Sequence, residues 1–206
     1  ARPKGDVRPR APGHFDWVFW AFLFAAATHQ FAMFGYYSFF TIYLDDVLGR
    51  TDAGWIWAIG SAAEIPMLFF AGPIILRFGL ATMLMVSMAA VSLRLAIYAT
   101  TPGLAVVLPS QLLHAFTFGL YHAACIEFLR RRAPADRRGL AMALYMSLGL
   151  GVPSFISSSL GGEIVERFGF ARMYGLYALI PWIGIAFVFC IGKRISAHPA
   201  GAEPRN

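Results

Sequence analysis

Charge is scarce in this sequence. Asp, Glu, Lys and Arg make up only 14% of its 206 residues, and hydrophobic residues make up 58%. An ordinary soluble domain carries about 25% charged residues. The composition therefore excludes a soluble globular domain and indicates a membrane protein. The two cysteines, Cys125 and Cys190, stand 65 positions apart. That spacing excludes a disulfide framework or a thiolate metal site, and we interpret both as buried small residues.

Long stretches without charge define the predicted membrane spans. No charged residue occurs between Asp16 and Asp45, and the other long apolar stretches are interrupted only by Glu64 and Arg94. A crossing needs about 20 apolar residues, and only helices satisfy their own backbone in lipid at these lengths. The sequence therefore predicts an all-α membrane protein with six transmembrane helices, at about 17–44, 55–76, 81–99, 104–128, 140–161 and 173–192.

The basic residues predict the orientation in the membrane. With the six predicted spans, 13 of the 17 Lys and Arg residues fall on the side of the N-terminus and 3 on the other side, while Arg94 lies within a helix. The positive-inside rule then places both termini in the cytoplasm of a multi-pass plasma (inner) membrane protein. We predict a basic cytoplasmic linker at 1–14, the bundle at 15–192 and a cytoplasmic tail at 193–206. The net charge of +6 thus reflects topology, and no nucleic acid is expected.

Two stretches of the chain resemble each other at an offset of 90 residues. Both 72–83 and 162–173 contain the tripeptide Arg-Phe-Gly in a matching context. The first joins predicted helices two and three, and the second joins helices five and six. Because three crossings separate the copies, they lie on opposite sides of the membrane, which predicts a 3+3 inverted repeat. The alternative is a chance likeness between two short helix connections.

Several ionisable residues fall within the predicted spans. A charged side chain at membrane depth costs about 2.5–3.5 kcal/mol and marks a functional site by default. At 1.5 Å rise per residue, His29, Glu64, Arg94 and His114 fall within one slab roughly 6 Å thick. Glu64 also precedes Pro66, where a kink can form, so it is a candidate proton carrier. The alternative for Glu64 and Arg94 is a buried structural ion pair.

Predicted helix four carries a polar face. At 100° per residue, the side chains of Gln111, Tyr121, His122 and Cys125 lie within 80° of His114. Such a face should look into a cavity rather than at lipid. The alternative is hydrogen bonding between helices, worth about 0.6 kcal/mol per contact. For His122, nearer the end of the helix, the two alternatives stay open.

These residues resemble a known family. The stretch Gln111-x-x-His114-x-x-Thr117-Phe118-x-x-x-His122, together with His29, Ala63-Glu64 and Arg94, is similar to the C-terminal six-helix half of a major facilitator superfamily transporter. Within that superfamily the likeness is to the lactose-permease-like proton symporters, and to the phenylpropionate permease type among them. The resemblance implies that Arg94 and His114 belong to the network that couples solute to protons. It departs at Thr117 and Ser61, where the permease carries carboxylates, so Glu64 is expected to bear the proton instead.

The expected function is proton-coupled symport of a small organic solute, such as an aromatic or other organic acid. The proton gradient is the coupling ion, with no cofactor or metal. Candidate solute-binding and coupling residues are His29, Glu64, Arg94, Gln111, His114, Thr117, Tyr121 and His122. The alternatives are a sugar or nucleoside symporter and a non-transporting scaffold that kept the fold. An intramembrane protease is not expected, because the last predicted helix holds no His.

The expected partners are the lipid bilayer, a small-molecule substrate and an N-terminal six-helix half of the same transporter. The chain begins at Ala1 rather than Met, and its polar residues form only one wall of a site. We therefore expect a fragment or an excised domain that does not transport alone.

Overall fold

The computed structural model describes residues 14–196, and every regular element within that range is helical. The first three helices are α1 (Trp17–Leu48), α2 (Ala53–Phe78) and α3 (Leu80–Ala99). Helix α1 is capped at its start by Asp16, whose carboxylate accepts a hydrogen bond from the Phe19 amide, and at its end by Gly49 in the left-handed conformation. These bounds agree with the predicted spans to within four residues.

The fourth span is less regular than predicted. It contains α4 (Leu104–Ser110), a 3₁₀ turn (Gln111–Leu113), a π-helical turn (Ala115–Leu120) and α5 (Tyr121–Arg132). Pro109 lies inside this segment and has no backbone N–H, so it removes one helical hydrogen bond from the turn that precedes it. Turns of π-helix often occur at functional sites. The predicted span at 104–128 coincides with one helical stretch, Leu104–Arg132, but its turns are not all α-helical, so a rotation of 100° per residue does not hold throughout it.

The last third of the chain differs from the prediction of two separate helices. It contains α6 (Arg138–Leu144), a second π-helical turn (Tyr145–Gly151), α7 (Val152–Tyr177) and α8 (Ile180–Ser196). By length and composition, five helical stretches within residues 14–196 can cross a membrane, and the last of them covers Ala135–Ile195. The structure therefore confirms an all-helical membrane protein but not six separate spans. The predicted start of the sixth helix, residue 173, lies inside α7.

The two copies of the sequence repeat share an unusual backbone conformation. Gly79, which alone separates α2 from α3, has φ of 86° and ψ of 148°. Gly169, at the matching position, has φ of 79° and ψ of 170° and interrupts α7 with a kink. A positive φ is accessible to glycine at little cost and is strained for other residues. The Arg-Phe-Gly tripeptide thus ends in the same backbone bend at both places.

The core consists of two apolar clusters with polar residues between them. One cluster gathers the first part of α1, the start of α3 and much of α5, and the other gathers the second part of α1 and the end of α3. In α1 the clusters are separated by Thr28 and His29, which are buried. In the fourth span they are separated by Ser110, Gln111, His114 and Thr117, also buried. We call this zone, with the adjacent Arg94, the polar layer.

The start of α1 and the ends of α5 and α8 lie together, and we call this the basic end of the bundle. Arg132 forms an ion pair with Asp16 and donates a hydrogen bond of 2.9 Å to the carbonyl oxygen of Arg194. Helix α8 runs to Ser196, past the predicted bundle end at 192. Most of the predicted linker (1–14) and tail (193–206) lie outside the described residues.

Candidate functional site

Arg94 is the centre of the polar layer. It lies on α3, and only 1% of its surface is exposed. Its Nη2 donates to the Tyr36 hydroxyl and to Gln111 Oε1, both at 2.8 Å, and its Nη1 donates to His114 Nδ1 at 3.2 Å and to Thr117 Oγ1 at 3.4 Å. The guanidinium also stacks on the Tyr36 ring, 3.9 Å from its centroid. One cation thus holds α1, α3 and the fourth span in a single arrangement.

Further hydrogen bonds fix the orientation of the Gln111 side chain. Its amide donates to the Tyr98 hydroxyl at 2.8 Å, so its carbonyl oxygen is left to face Arg94 and Tyr36. Tyr98 in turn lies 2.8 Å from Ser110 Oγ, which donates to the carbonyl of Val107. These bonds leave the Gln111 side chain one orientation, because the donor and acceptor ends each have a matching partner.

His114 links Arg94 to Glu64. Arginine has no acceptor, so His114 Nδ1 must accept the Arg94 hydrogen bond and the ring proton of the neutral imidazole sits on Nε2. That nitrogen lies 3.5 Å from Glu64 Oε2. The Glu64 side chain is 18% exposed and the His114 side chain 8%. The order is therefore Arg94 in the interior, His114 between, and Glu64 at the accessible edge.

Two glycines allow α2 to approach the fourth span closely enough for this contact. A Cβ at Gly60 would lie 3.3 Å from the Cβ of His114, and a Cβ at Gly119 would lie 3.1 Å from the Cγ of Glu64. Both distances are tighter than ordinary van der Waals contact. The absence of a side chain at these two positions sets the spacing between Glu64 and His114.

Aromatic rings extend the accessible side of the site. His114 stacks on Phe118 at 5.5 Å between centroids, and Phe118 stacks on His122 at 5.7 Å. Tyr37 contacts His114 edge to face and stacks on Trp57. Phe118 is exposed, and Tyr37, Trp57 and His122 are partly exposed. The rings line one continuous surface, the aromatic wall, with Glu64 beside its middle.

His29 and Tyr121 form a separate pair. Their rings stack at 3.4 Å, and both residues are buried. Neither ring nitrogen of His29 makes a hydrogen bond of ordinary geometry within the described residues, although the backbone of Thr117 is within electrostatic reach. A cavity of about 40 Å³ adjoins them, lined also by Thr117, His122 and Tyr145. Thr117 is the residue that this pair shares with the Arg94 cluster.

The structure thus divides the predicted site residues into three groups. Glu64, Arg94, Gln111, His114 and Thr117 form one connected cluster, and His29 and Tyr121 form another. His122 stacks on Phe118 beside the first cluster and lines the small cavity next to the second. A direct Glu64–Arg94 ion pair is wrong for this structure, since His114 stands between the two side chains. The burial expected for Cys190 is also wrong, because only Cys125 is buried.

Sequence reasoning missed the tyrosines of the network. Tyr36 and Tyr98 bind Arg94 and Gln111, and neither was among the predicted residues. A signal for Tyr36 was present, because it follows His29 by seven positions, two helical turns, and so shares its face of α1. No comparable pattern pointed to Tyr98 or Trp57.

Comparison with known proteins identifies relatives of this chain. The model of the MFS_1 like family matches residues 15–176. The chain is 25% identical over 167 residues to a maltose permease of Geobacillus stearothermophilus, covering 81% of this chain and 42% of the relative. It is 27% identical over 157 residues to the uncharacterized transporter YwbF of Bacillus subtilis, covering 76% and 39%.

A third relative is a probable 3-phenylpropionic acid transporter of Escherichia coli, 23% identical over 177 residues, covering 85% of this chain and 45% of the relative. The chain thus spans less than half the length of these relatives. No solved structure matches it. Since the family model covers most of the chain, the chain belongs to the MFS_1 like family and so to the major facilitator superfamily.

Proposed function

We propose that this chain is one bundle of a proton-coupled symporter for a small organic solute. The observation that carries the proposal is the series Glu64–His114–Arg94, in which only the carboxylate is at an accessible edge. Polar groups near the middle of the membrane are where transporters bind solute and coupling ion. No cofactor or metal enters this mechanism, because the proton gradient supplies the energy.

The coupling proton belongs on Glu64. His114 Nδ1 accepts from Arg94, so His114 cannot take a second proton while that hydrogen bond lasts. A proton that reaches the site therefore binds the carboxylate. Protonation removes the negative charge that faces His114 Nε2, and it weakens the contact between α2 and the fourth span. Pro66, two residues on, lowers the resistance of α2 to bending.

The solute binds at the aromatic wall. Arg94 is buried and already donates to four acceptors, so a solute cannot reach it without breaking those hydrogen bonds. The accessible groups are the Glu64 carboxylate, an acceptor, and the faces of Tyr37 and Phe118. This combination favours a neutral solute with hydroxyl groups and a ring, such as a sugar or a nucleoside. The likeness to a maltose permease is in accord with it.

An organic acid is the second candidate solute. The likeness to a probable 3-phenylpropionic acid transporter favours it. Once the network opens, Arg94 supplies the matching positive charge and protonated Glu64 supplies a hydrogen-bond donor. Uptake driven by a pH gradient, with competition by neutral sugars, nucleosides and arylpropionates in turn, separates the candidates. Inhibition by arylpropionates alone would reject the neutral class.

Glu64→Gln in the full-length transporter tests the coupling. We expect loss of accumulation against a gradient but retention of solute exchange, because exchange needs no net change of protonation at the site. Gln also keeps the size of the side chain beside Gly119. Wild-type accumulation in this variant would assign the proton to another group and leave Glu64 a structural role.

The architecture that this function needs is the 3+3 inverted repeat. The helical stretch Ala135–Ile195 contains 61 residues. At 1.5 Å per residue its path is about 90 Å long, three times the hydrocarbon thickness of about 30 Å. The bend at Gly169 supports a division of this stretch into two crossings. The matching bend at Gly79 supports the internal repeat.

The missing wall of the site is an N-terminal six-helix half of the same transporter, joined through the linker at 1–14. Two observations support this partner. The chain covers less than half the length of the maltose permease that it matches, and α2 is little buried within this chain. The chain alone should therefore show no saturable, gradient-driven uptake in liposomes, and the upstream half should restore it. Uptake by a monomer of this chain would reject the partner, and uptake only by a crosslinked dimer would favour a homodimer.

Orientation has its own test. We propose that the loop at 130–138 and both termini face the cytoplasm of a plasma (inner) membrane and that the loop at 45–52 faces outward. Single cysteines in each loop, labelled with an impermeant maleimide in intact cells, should react only in the outward loop.

A non-transporting scaffold is the alternative function, and it predicts that Glu64, Arg94 and His114 tolerate single substitutions.

A further inference from the structure

An open groove runs between α1 and α8 at the basic end of the bundle. Its volume is about 510 Å³, within the usual range of about 300–1,000 Å³ for ligand sites. Ala21 and Ala186 contribute small side chains, Trp17 and Phe187 contribute large aromatic ones, and Arg194 lines the basic end. The Arg194 guanidinium lies 4.8 Å from the centroid of the Trp17 ring. The groove is therefore apolar along its length and cationic at one end.

The cation that lines this groove lacks a carboxylate partner. Arg194 is exposed and forms no ion pair within residues 14–196, and the same holds for Lys193, which precedes it in α8 but does not line the groove. Arg132 instead pairs with Asp16, and its hydrogen bond to the Arg194 carbonyl fixes the end of α8 beside the start of α1. The backbone that carries Arg194 is thus held in place beside α1.

A second groove serves as an internal comparison. It lies between α2 and α5 and has the same volume of about 510 Å³. Its cations, Arg130 and Arg131, are both paired with Glu127, at 2.7 Å and 2.5 Å. Two grooves of equal size at one end of the bundle thus differ in whether their cations are neutralised by the protein itself.

We propose that the groove between α1 and α8 is a binding site for an anionic phospholipid. One acyl chain lies along the alanine and aromatic residues, and the headgroup phosphate pairs with Arg194. Basic pockets between transmembrane helices at the membrane surface bind anionic headgroups, and tryptophan favours this depth. The groove lies at the start of α1, where Trp17 precedes Tyr37 of the aromatic wall by 20 residues, or about 30 Å along the helix, so lipid and solute do not compete.

Native mass spectrometry of the full-length transporter tests the site. The purified protein in detergent is titrated with phosphatidylglycerol or with phosphatidylcholine of the same acyl chains. We expect tighter retention of phosphatidylglycerol and a loss of about fivefold in its affinity in Arg194→Gln, since a basic residue at the membrane surface contributes on that scale. Arg194→Lys should retain binding. Equal binding of the two lipids would reject the proposal.

Arg130→Gln is the matched control, because it removes one cation from the comparison groove. An equal loss in Arg130→Gln and Arg194→Gln would indicate general surface attraction and would also reject the site. Cys190 supplies a second readout, since it lines the groove and is exposed, while Cys125 is buried. Phosphatidylglycerol should slow alkylation of Cys190 by N-ethylmaleimide several-fold, and phosphatidylcholine should not.

Soluble glycerol 3-phosphate distinguishes a lipid from a free phosphate. It carries the phosphate but no acyl chain, so it should leave the alkylation rate of Cys190 unchanged. Protection by glycerol 3-phosphate alone would make this a phosphate site and overturn the lipid assignment. Unaltered alkylation in saturating phosphatidylglycerol would place the lipid elsewhere.

Discussion

Arg94 and His29 lie in the same polar layer and are equally buried, each 1% exposed. Four acceptors surround the two terminal nitrogens of Arg94, although its Nε has no partner within the described residues. Neither ring nitrogen of His29 has a partner of ordinary geometry among those residues. His29 is held instead by stacking on Tyr121. A buried cation is retained only with such partners, because leaving it unpaired costs several kcal/mol. A neutral imidazole is far cheaper to bury.

The difference teaches that equal depth does not mean equal role. The Arg94 cluster reaches Glu64 through His114, so a change at one end is transmitted along hydrogen bonds and a charge contact. The His29 pair meets that cluster only near Thr117. Substitutions at the two places should therefore differ greatly in effect, and the three predictions below test this contrast from the strongest effect to the weakest.

Arg94→Lys should abolish coupled uptake in the full-length transporter. Lysine keeps the positive charge, but its single ammonium cannot present the planar fork that reaches Tyr36, Gln111, His114 and Thr117 together. Losing two charge-assisted hydrogen bonds of about 1.5–3 kcal/mol each corresponds to a drop in uptake of at least about a hundredfold. Initial rates of pH-driven uptake, normalised to protein in the membrane, measure it. Uptake within threefold of wild type would remove Arg94 from the centre of the site.

Gly119→Val should have an intermediate effect. The new Cβ would lie 3.1 Å from Glu64 Cγ, and the branched methyl groups would force α2 away from the fourth span. Overpacking of this kind costs about 1–3 kcal/mol. We expect uptake to fall roughly five- to a hundredfold, with accumulation lost more than exchange, because Glu64 moves away from His114.

Gly54→Val is the matched control for that variant. Gly54 also lies in a membrane helix, α2, but a Cβ there meets nothing within 4 Å, and no proline directly follows it. Both substitutions place the same β-branched residue in a helix, so differences between them report the contact with Glu64. An equal loss in the two variants would mean that helix stability, rather than the Glu64–His114 spacing, governs uptake.

Much of the fold followed from simple patterns in the sequence. Runs without charge located the membrane helices, because an unpaired charge in lipid costs free energy. The first three helices of the structure begin and end within four residues of their predicted bounds. The depth estimate placed Glu64, Arg94 and His114 together, and the structure connects them. Depth is predictable because the rise per residue of a helix is nearly constant.

The side of each helix that faces the site was harder to predict. The 100° rotation assumes an α-helix, but Ala115–Leu120 form a wider π-helical turn that shifts the residues after it. Tyr121 therefore turns towards His29, and it does not join His114 as its α-helical angle implied. The order Glu64–His114–Arg94 depends on side-chain packing across Gly60 and Gly119, and no local pattern encodes those contacts.

His29→Phe should have the smallest effect of the three. Phenylalanine keeps a flat ring on Tyr121 and removes only the two nitrogens that lack ordinary partners. The adjoining cavity, about 40 Å³, exceeds the roughly 10–15 Å³ that one water needs, and Thr117, His122 and Tyr145 supply polar atoms around it. We expect water there to satisfy His29, so its loss should change stability little and leave uptake within about threefold of wild type.

Thermal unfolding of His29→Phe and His29→Ala, measured beside uptake, identifies what His29 contributes. Alanine removes the stacking and enlarges the cavity, so it should lower the melting temperature clearly, since buried large-to-small changes cost about 2–5 kcal/mol. Phenylalanine should not. A gain in stability in the phenylalanine variant would mean that the His29 nitrogens are dry and unpaired, which costs about 1–3 kcal/mol. If His29→Phe instead lost as much uptake as Arg94→Lys, then His29 as well as Arg94 would take part in coupling.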